Sequence, residues 1–404
     1  MKIERFDVLF DQEDDPESPV YFAGEELSGR IILVLKEEMK VNEILLEFKG
    51  GARTYWTKHS GKSRRHFRQS EPYFCEQFNT RYTHAYGKNH ERLLPAGTHE
   101  IPFSFKLAKN LPSSFEGEYG FVRYTCKSTL ERPWDHDIIC KRAYSVVGLE
   151  DLNADAKAAE PINLAETDFN VQHCFRRVGT IGLRLSLAKT GYAPGERLVI
   201  DAEVKNDSRK TLNRSTLYFK QRIRYMAKDF HNQEHVKEVC RTLATRKVDR
   251  NAIPPGGSDH WQCSDFVVEA VAPKLIRCTI IDINYSVDLE VDPGVVLSVP
   301  ILVGTIPIAP KNCSEEEKKT TEGSSLAVDT IEVNTEDKSS SASTSPKTRL
   351  RLTSSVPKKM YPTVPLPIFE KCRFSEVDIQ DEKENVQYGK RKFTPKYPCY
   401  HIEP

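Results

Sequence analysis

In the segment 281–291, IDINYSVDLEV, Ile281, Ile283, Tyr285, Val287, Leu289 and Val291 alternate with Asp282, Asn284, Ser286, Asp288 and Glu290. A helix would scatter both sets around its surface, so this period of two predicts a strand with one buried face. IPFSFKL repeats the pattern, with Ile101, Phe103, Phe105 and Leu107 on one side and Pro102, Ser104 and Lys106 on the other. Pro102 cannot donate to a ladder and therefore belongs on an edge or at a strand start. Branched residues over 28–35 (SGRIILVL) predict another strand. Such strands are separated by turn clusters, NDS at 206–208 and PPGG at 254–257, and long amphipathic helices are hard to find. Short strands punctuated in this way predict an all-β chain of antiparallel sandwiches.

The pattern also repeats on a larger scale. VYFAGEE at 20–26 and GYAPGE at 191–196 each open a strand-like stretch. With the two halves displaced by 171 positions, Tyr21 falls on Tyr192, Gly24 on Gly195, Glu25 on Glu196, Phe48 on Phe219 and Lys49 on Lys220. Further along, a displacement of 161 sets Pro112 on Pro273, Val122 on Ile283 and Tyr124 on Tyr285. The displacement changes only in loop-like stretches, where insertions are tolerated. Ordered anchors of this kind predict one sandwich made twice. The shared glycine supplies a turn where φ is positive, and the glutamate after it can accept bonds from neighbouring backbone.

Two copies divide the chain into an N-domain over 1–150, a linker over 151–177 and a C-domain over 178–310. The linker is expected because LNADAKAAEPINLAE (152–166) is rich in small and polar residues. Beyond residue 310, CSEEEKKTTEGSS and KSSSASTSPK have little to bury, so 311–404 is expected to be a mostly disordered tail. Proline and aromatic islands within it, MYPTVPLPIFE and KFTPKYPCY, have the composition of short recognition peptides. The serines of 339–346 offer sites for phosphorylation.

Composition refines this picture only slightly. A mean hydropathy of −0.54 over 404 residues fits packed domains joined to a solvated segment. With 59 basic and 58 acidic side chains there is no global pull toward nucleic acid or anionic lipid, so any such attraction is local. The charged start MKIERFDVLFDQ is not a secretory signal, and no apolar run reaches about 18 residues. Ten scattered cysteines without a C-x-x-C pair predict free thiols in a reducing compartment.

VYFAGEELSG (20–29), LPSSFEGEYGFVRYTCKSTLERPW (111–134), GYAPGERLVIDAEVKNDS (191–208) and VPILVGTIPI (299–308) together resemble the arrestins, and the ERPW and GTIPI segments are most similar to the alpha-arrestins. The resemblance covers about residues 1–310. It implies two tandem arrestin-like immunoglobulin-type β-sandwiches and a non-enzymatic adaptor without cofactors. It further implies cytoplasmic residence with recruitment to plasma membrane and endosomes. The implied partners are cytoplasmic segments of membrane receptors or transporters and HECT-type ubiquitin ligases carrying WW domains, for ubiquitin-dependent endocytosis and sorting. A ligase-independent scaffold in vesicle sorting or signalling is the alternative. Alpha-arrestin tails carry Pro-Pro-x-Tyr, which docks between WW aromatics. This tail has no such tetrapeptide. Its nearest segment is Thr394–Pro398, TPKYP, which keeps Pro395 and Tyr397. It is read as a degenerate WW ligand, as an unstructured end, or as a segment folding back onto a sandwich.

Two further candidates come from local chemistry. KHSGKSRRHFR (58–68) concentrates Lys58, Lys62, Arg64, Arg65 and Arg68. It is read as a solvated hairpin loop or as a patch for anionic lipid or phosphorylated cargo, since arginine forks suit phosphate oxygens. No reading helix or RNP-like motif accompanies these charges, so nucleic acid is not expected. HNQEH (231–235) matches H-x-x-E-H of inverted zinc peptidases, but without an apolar helix to hold it a hairpin loop is expected and no metal.

Overall fold

The computed structural model describes residues 2–11, 18–61, 63–82, 93–173, 176–248, 252–292, 294–310, 356–380 and 385–401. The first sandwich contains β1 (Ile3–Phe10), β2 (Val20–Phe22), β3 (Glu26–Leu35), β4 (Glu43–Ser60), β5 (Ser63–Asn79), β6 (Gly97–Lys106), β7 (Gly120–Glu131) and β8 (Ile138–Val147). One sheet runs β1-β3-β6, and the facing sheet runs β5-β4-β7-β8-β2. The second contains β9 (Ile162–His173), β10 (Arg176–Leu187), β11 (Gly191–Tyr192), β12 (Arg197–Ser208), β13 (Ser215–Lys228), β14 (Glu234–Val248), β15 (Ser258–Val267), β16 (Ile281–Val291) and β17 (Val295–Val303). Its sheets are β9-β10-β12-β15 and β13-β16-β17-β11, with β14 on the other edge of β13. No helix among the described residues is long and apolar enough to cross a membrane.

Alternation explains the cores. Along β16 the Ile281 to Val291 set is buried, and Asp282, Asn284 and Ser286 face outward. The duplication holds atom by atom. Gly24 and Gly195 both adopt positive φ, +88° and +91°. The following glutamates cap the same turn: Phe22 N donates to Glu25 Oε2 at 2.7 Å and Ala193 N to Glu196 Oε2 at 2.8 Å. The short strand before each turn pairs in parallel with the last strand of its own domain, β2 with β8 and β11 with β17. Phe48 stacks on Phe105 at 4.5 Å, and its counterpart Phe219 stacks on Tyr285 at 5.7 Å.

The copies differ in what lies beside the turn. A Cβ on Gly24 would meet the flexible Lys109 side chain, whereas one on Gly195 would lie 2.5 Å from the backbone nitrogen of Tyr400. Gly24→Ala is expected to cost about 1–2 kcal/mol, the penalty of a left-handed Cβ. Gly195→Ala should cost more, because backbone cannot give way; paired urea titrations measure the difference.

Two boundaries differ from expectation. The linker expected over 151–177 is shorter, because β9 occupies much of it and pairs with β10. It carries polar residues because it is an edge strand with Leu164, Ala165 and Glu166 exposed, so no alternation is imposed on it. The segment 311–355 lies outside the described residues, but 356–380 and 385–401 form an arm packed on both sandwiches, which corrects the expectation of a solvated tail for that part. Val364, Ile379, Phe393, Tyr397 and Tyr400, dispersed among polar residues, are all buried. They fill sites on the sandwiches, and a single helical or strand period is not required for that.

Candidate functional site: an arginine-lined groove and a docked arm

The long hairpin β4–β5 pairs almost without interruption from Leu45↔Asn79 to Ser60↔Ser63, with one bulge at Gly50/Gly51. Its end reaches the second sandwich, where Arg68 pairs with Lys228 of β13. Two further contacts fasten this junction. Thr54 Oγ1 donates to the Met226 carbonyl at 2.6 Å, and the Tyr119 and Tyr225 rings meet edge to face at 5.8 Å. Between hairpin, the 116–121 turn and the 229–233 turn lies a groove of about 1550 Å³. Arg53, Arg64, Arg65 and Arg68 line it, all exposed. None of the four makes an ion pair among the described residues, whereas Arg123 is held by buried Glu116 at 2.6 Å. The acids along the groove are engaged similarly: Asp229 with His235 and Asp378 with Arg391. The four arginines outnumber Glu118 and Asp229, whose partner is an imidazole, so the groove is positive on balance. Tyr55 and Tyr119 add aromatic faces, Tyr55 bonded through its hydroxyl to His66 Nδ1 at 3.0 Å.

Of the predicted patch, Arg64, Arg65 and Arg68 come together on this wall, and Lys62 lies outside the described residues. Arg53 joins them from the partner strand, opposite Ser70. It was legible only as an isolated arginine, since the register of the hairpin brings it there. HNQEH forms a tight turn running into β14. Asp229 Oδ1 accepts from His231 N and Gln233 N, and Oδ2 is bonded to the His235 ring. The helix that would align both histidines on one metal is replaced by turn and strand. Among the described residues no group of three metal-ligating side chains is assembled.

The arm places Pro395 and Tyr397 elsewhere. Segments 368–371 and 396–399 form β18 (Ile368–Lys371) and β22 (Lys396–Cys399), an antiparallel pair. β19 (Val377–Asp378) pairs with β21 (Lys392–Phe393). β20 (Tyr388–Gly389) adds in parallel to β8 at Cys140–Lys141. Tyr397 is only 1% exposed, and its hydroxyl donates to the Ser114 carbonyl of the first sandwich at 2.8 Å. Burial holds this phenol well above its ordinary pKa, so it stays a neutral donor. Three residues on, Tyr400 N donates to the Pro194 carbonyl at 2.7 Å and Tyr400 Oη to the Thr305 carbonyl at 2.9 Å, both in the second sandwich. The TPKYP segment is thus a clasp across the domain seam. In this conformation it presents no tyrosine ring to a WW groove. A Pro-Tyr spacing in sequence cannot distinguish an exposed ligand from a buried strap.

Beneath the clasp sits Glu150. Its backbone bonds to Thr305, and its carboxyl lies within 3.5 Å of Ser113 Oγ. Desolvation pushes this carboxyl up to about 7, partly opposed by Arg277 and hydrogen bonds. No feature of the sequence around LED (149–151) marks it.

Comparison with known proteins matches this architecture. Residues 6–153 match the family described as arrestin (or S-antigen), N-terminal domain, and residues 177–308 match arrestin (or S-antigen), C-terminal domain. Arrestin domain-containing protein 17 of Caenorhabditis elegans is 42% identical over 430 aligned positions, covering 99% of each chain. Human arrestin domain-containing protein 4 is 28% identical, over 73% of this chain and 70% of its own. Human thioredoxin-interacting protein is 27% identical over 75% of each. The similarity to the nematode protein extends through the arm, whereas the two human proteins align over about three quarters of the chain.

Proposed function

Because the chain belongs to the arrestin domain-containing family, we propose that it is a non-enzymatic adaptor that holds an anionic segment of a membrane protein's cytoplasmic region in the groove between its two sandwiches. The observation that carries this reading is the set of four exposed arginines along the groove that make no ion pair among the described residues. Guanidinium forks recognise phosphate and carboxylate oxygens in pairs. A concave groove suits an extended peptide better than a flat bilayer.

The arm favours action without a WW-domain ligase. Tyr397, central to any WW contact through TPKYP, is consumed by the clasp. A relative named for interaction with thioredoxin supports a fold that serves partners of several kinds. Ubiquitin-dependent endocytosis, and recruitment to plasma membrane and endosomes, are the second reading, which needs the arm released.

Charge reversal at Arg64 and Arg65 tests the groove. The full chain is titrated with a peptide carrying two phosphoserines, with its unphosphorylated form, and with vesicles containing anionic lipid. The phosphopeptide is expected to bind the native chain and to lose at least about tenfold in affinity with R64E/R65E, since charge-assisted contacts contribute about 1.5–3 kcal/mol each. Equal affinity for both peptides, or unchanged binding by the variant, overturns the proposal. Binding to vesicles alone assigns the arginines to a membrane surface.

A further inference from the structure

At the end of the first sandwich remote from the groove, the β7–β8 turn holds Trp134 fully exposed. Two features show that the turn is built and not slack. Trp134 has φ +64°, a conformation that side-chain-bearing residues rarely adopt. Arg132 fixes the loop around it, donating to the His136 carbonyl through Nε at 2.9 Å and pairing with Asp135 at 2.6 Å. Asp135 Oδ1 in turn accepts from His136 N at 2.8 Å. A large ring is thus presented on a rigid support at little entropic cost to a partner. Its surroundings are acidic. The turn reads ERPWDHD over 131–137, with Glu131, Asp135 and Asp137 against one arginine, and Glu131 stands opposite Glu43 across the sheet. An anionic bilayer would be repelled by this collar.

The same molecule carries the complementary surface. The groove offers arginines that make no ion pair among the described residues, with Tyr55 and Tyr119 in the same lining, and arginine stacks on the face of tryptophan more readily than on other rings. The two surfaces lie at opposite ends of β4. Glu131 pairs with Glu43 at one end and Gly120 with Thr54 toward the other, so one chain cannot join them to each other. We infer that Trp134 and its acidic collar dock into the arginine groove of a second copy of this chain, forming a heterologous head-to-tail contact that competes with cargo. This inference rests on the reading of the groove as an anion-binding site.

A head-to-tail contact has a signature that a two-fold dimer lacks. The full chain is followed by sedimentation velocity from about 1 to about 100 µM, where small polar interfaces associate. The native chain is expected to rise beyond a dimer in mass, and to fall back in about 0.5 M salt as the charges are screened. W134A keeps the groove and lacks the ring, and R64E/R65E does the converse; each alone is expected to stay monomeric with an unchanged melting temperature. Mixed in equal amounts they restore a single contact and form a one-to-one dimer. Trp56 and Trp261 are buried, so emission from Trp134 should shift to the blue on association. A native chain that stays monomeric at about 100 µM overturns the inference, as does association retained by W134A or a mixture that remains monomeric. Failure here with phosphopeptide binding intact removes self-association and leaves the adaptor reading standing. Loss of both removes the groove as an anion site.

Discussion

Replacing Tyr397 with alanine is expected to detach the C-terminal arm from the sandwiches. The phenol ring is buried between arm and core, and removing an aromatic ring from such a site costs about 3–5 kcal/mol. The hydroxyl bond to the Ser114 carbonyl is lost as well, leaving an acceptor without its partner. The arm's other anchors are dispersed along it: Tyr400 bonds to Pro194 and Thr305, Tyr361 to Asp151, and Val364, Ile379 and Phe393 are buried. Its ladders run two to four residues, and only Tyr388–Gly389 extends a sandwich sheet. A loss of that size is a large fraction of what holds so short a segment, so the arm should open while both sandwiches keep their own cores. Hydrogen exchange reports this directly. Amides of Tyr400, Lys390 and Gln387, which bond to Pro194, Lys141 and Ile139 carbonyls, should lose protection, and amides of β16 should retain theirs. Protection unchanged at those three amides would show that Tyr397 is not the anchor. Tyr397→Phe keeps the ring and should lose only about 1 kcal/mol. The same variants separate the two functional readings, because a ligase that binds through TPKYP can do so only when the clasp is open.

The second large effect is a pH dependence set by Glu150. Its carboxyl is held at about 7 in the folded chain, against 4.5 for an ordinary glutamate, because burial disfavours the charged form. The folded state therefore binds the proton more tightly than the unfolded state. Stability is greatest below about pH 4.5 as far as this group is concerned, and declines as pH rises through about 7. The span of about 2.5 units corresponds to about 3 kcal/mol between those limits. Glu150→Gln keeps the shape and removes the ionisation. It is expected to flatten the pH profile in that window and to make the chain more stable than the native one at pH 8 by about 2–3 kcal/mol. Urea titrations at pH 5, 6, 7 and 8 check both points, and equal slopes for the two proteins would exclude Glu150 as the titrating group. Because Thr305 bonds to Glu150 on one side and to Tyr400 on the other, the loosening should begin at the clasp.

The two effects fall on residues of different legibility. Tyr397 stands out in sequence as half of a peptide motif. What it contacts was not readable, because a proline-tyrosine segment looks the same whether it meets a foreign WW domain or its own sandwich. Glu150 carries no local signal at all. Its raised pKa comes from burial, which Arg277 and the Ser113 hydroxyl only partly oppose, and Ser113, Thr305 and Arg277, far away in the chain, gather around it only when both domains and their seam are formed. The arginines were intermediate. Arg64, Arg65 and Arg68 were visible as a cluster, whereas Arg53 joins them only through the hairpin register.

Local physics sufficed where a pattern repeats along the chain. Alternation over 281–291 forces a strand, and the paired Gly-Glu turns at 24–25 and 195–196 force the same entry into two sheets, so the sequence by itself determined an all-β fold, its duplication and its family. Tertiary structure decided what lies between the copies: the groove, the buried carboxyl at the seam, and the arm that crosses it. Those depend on which surfaces are left unpaired once each sandwich has closed, a property of two packed bodies that no period in either one encodes.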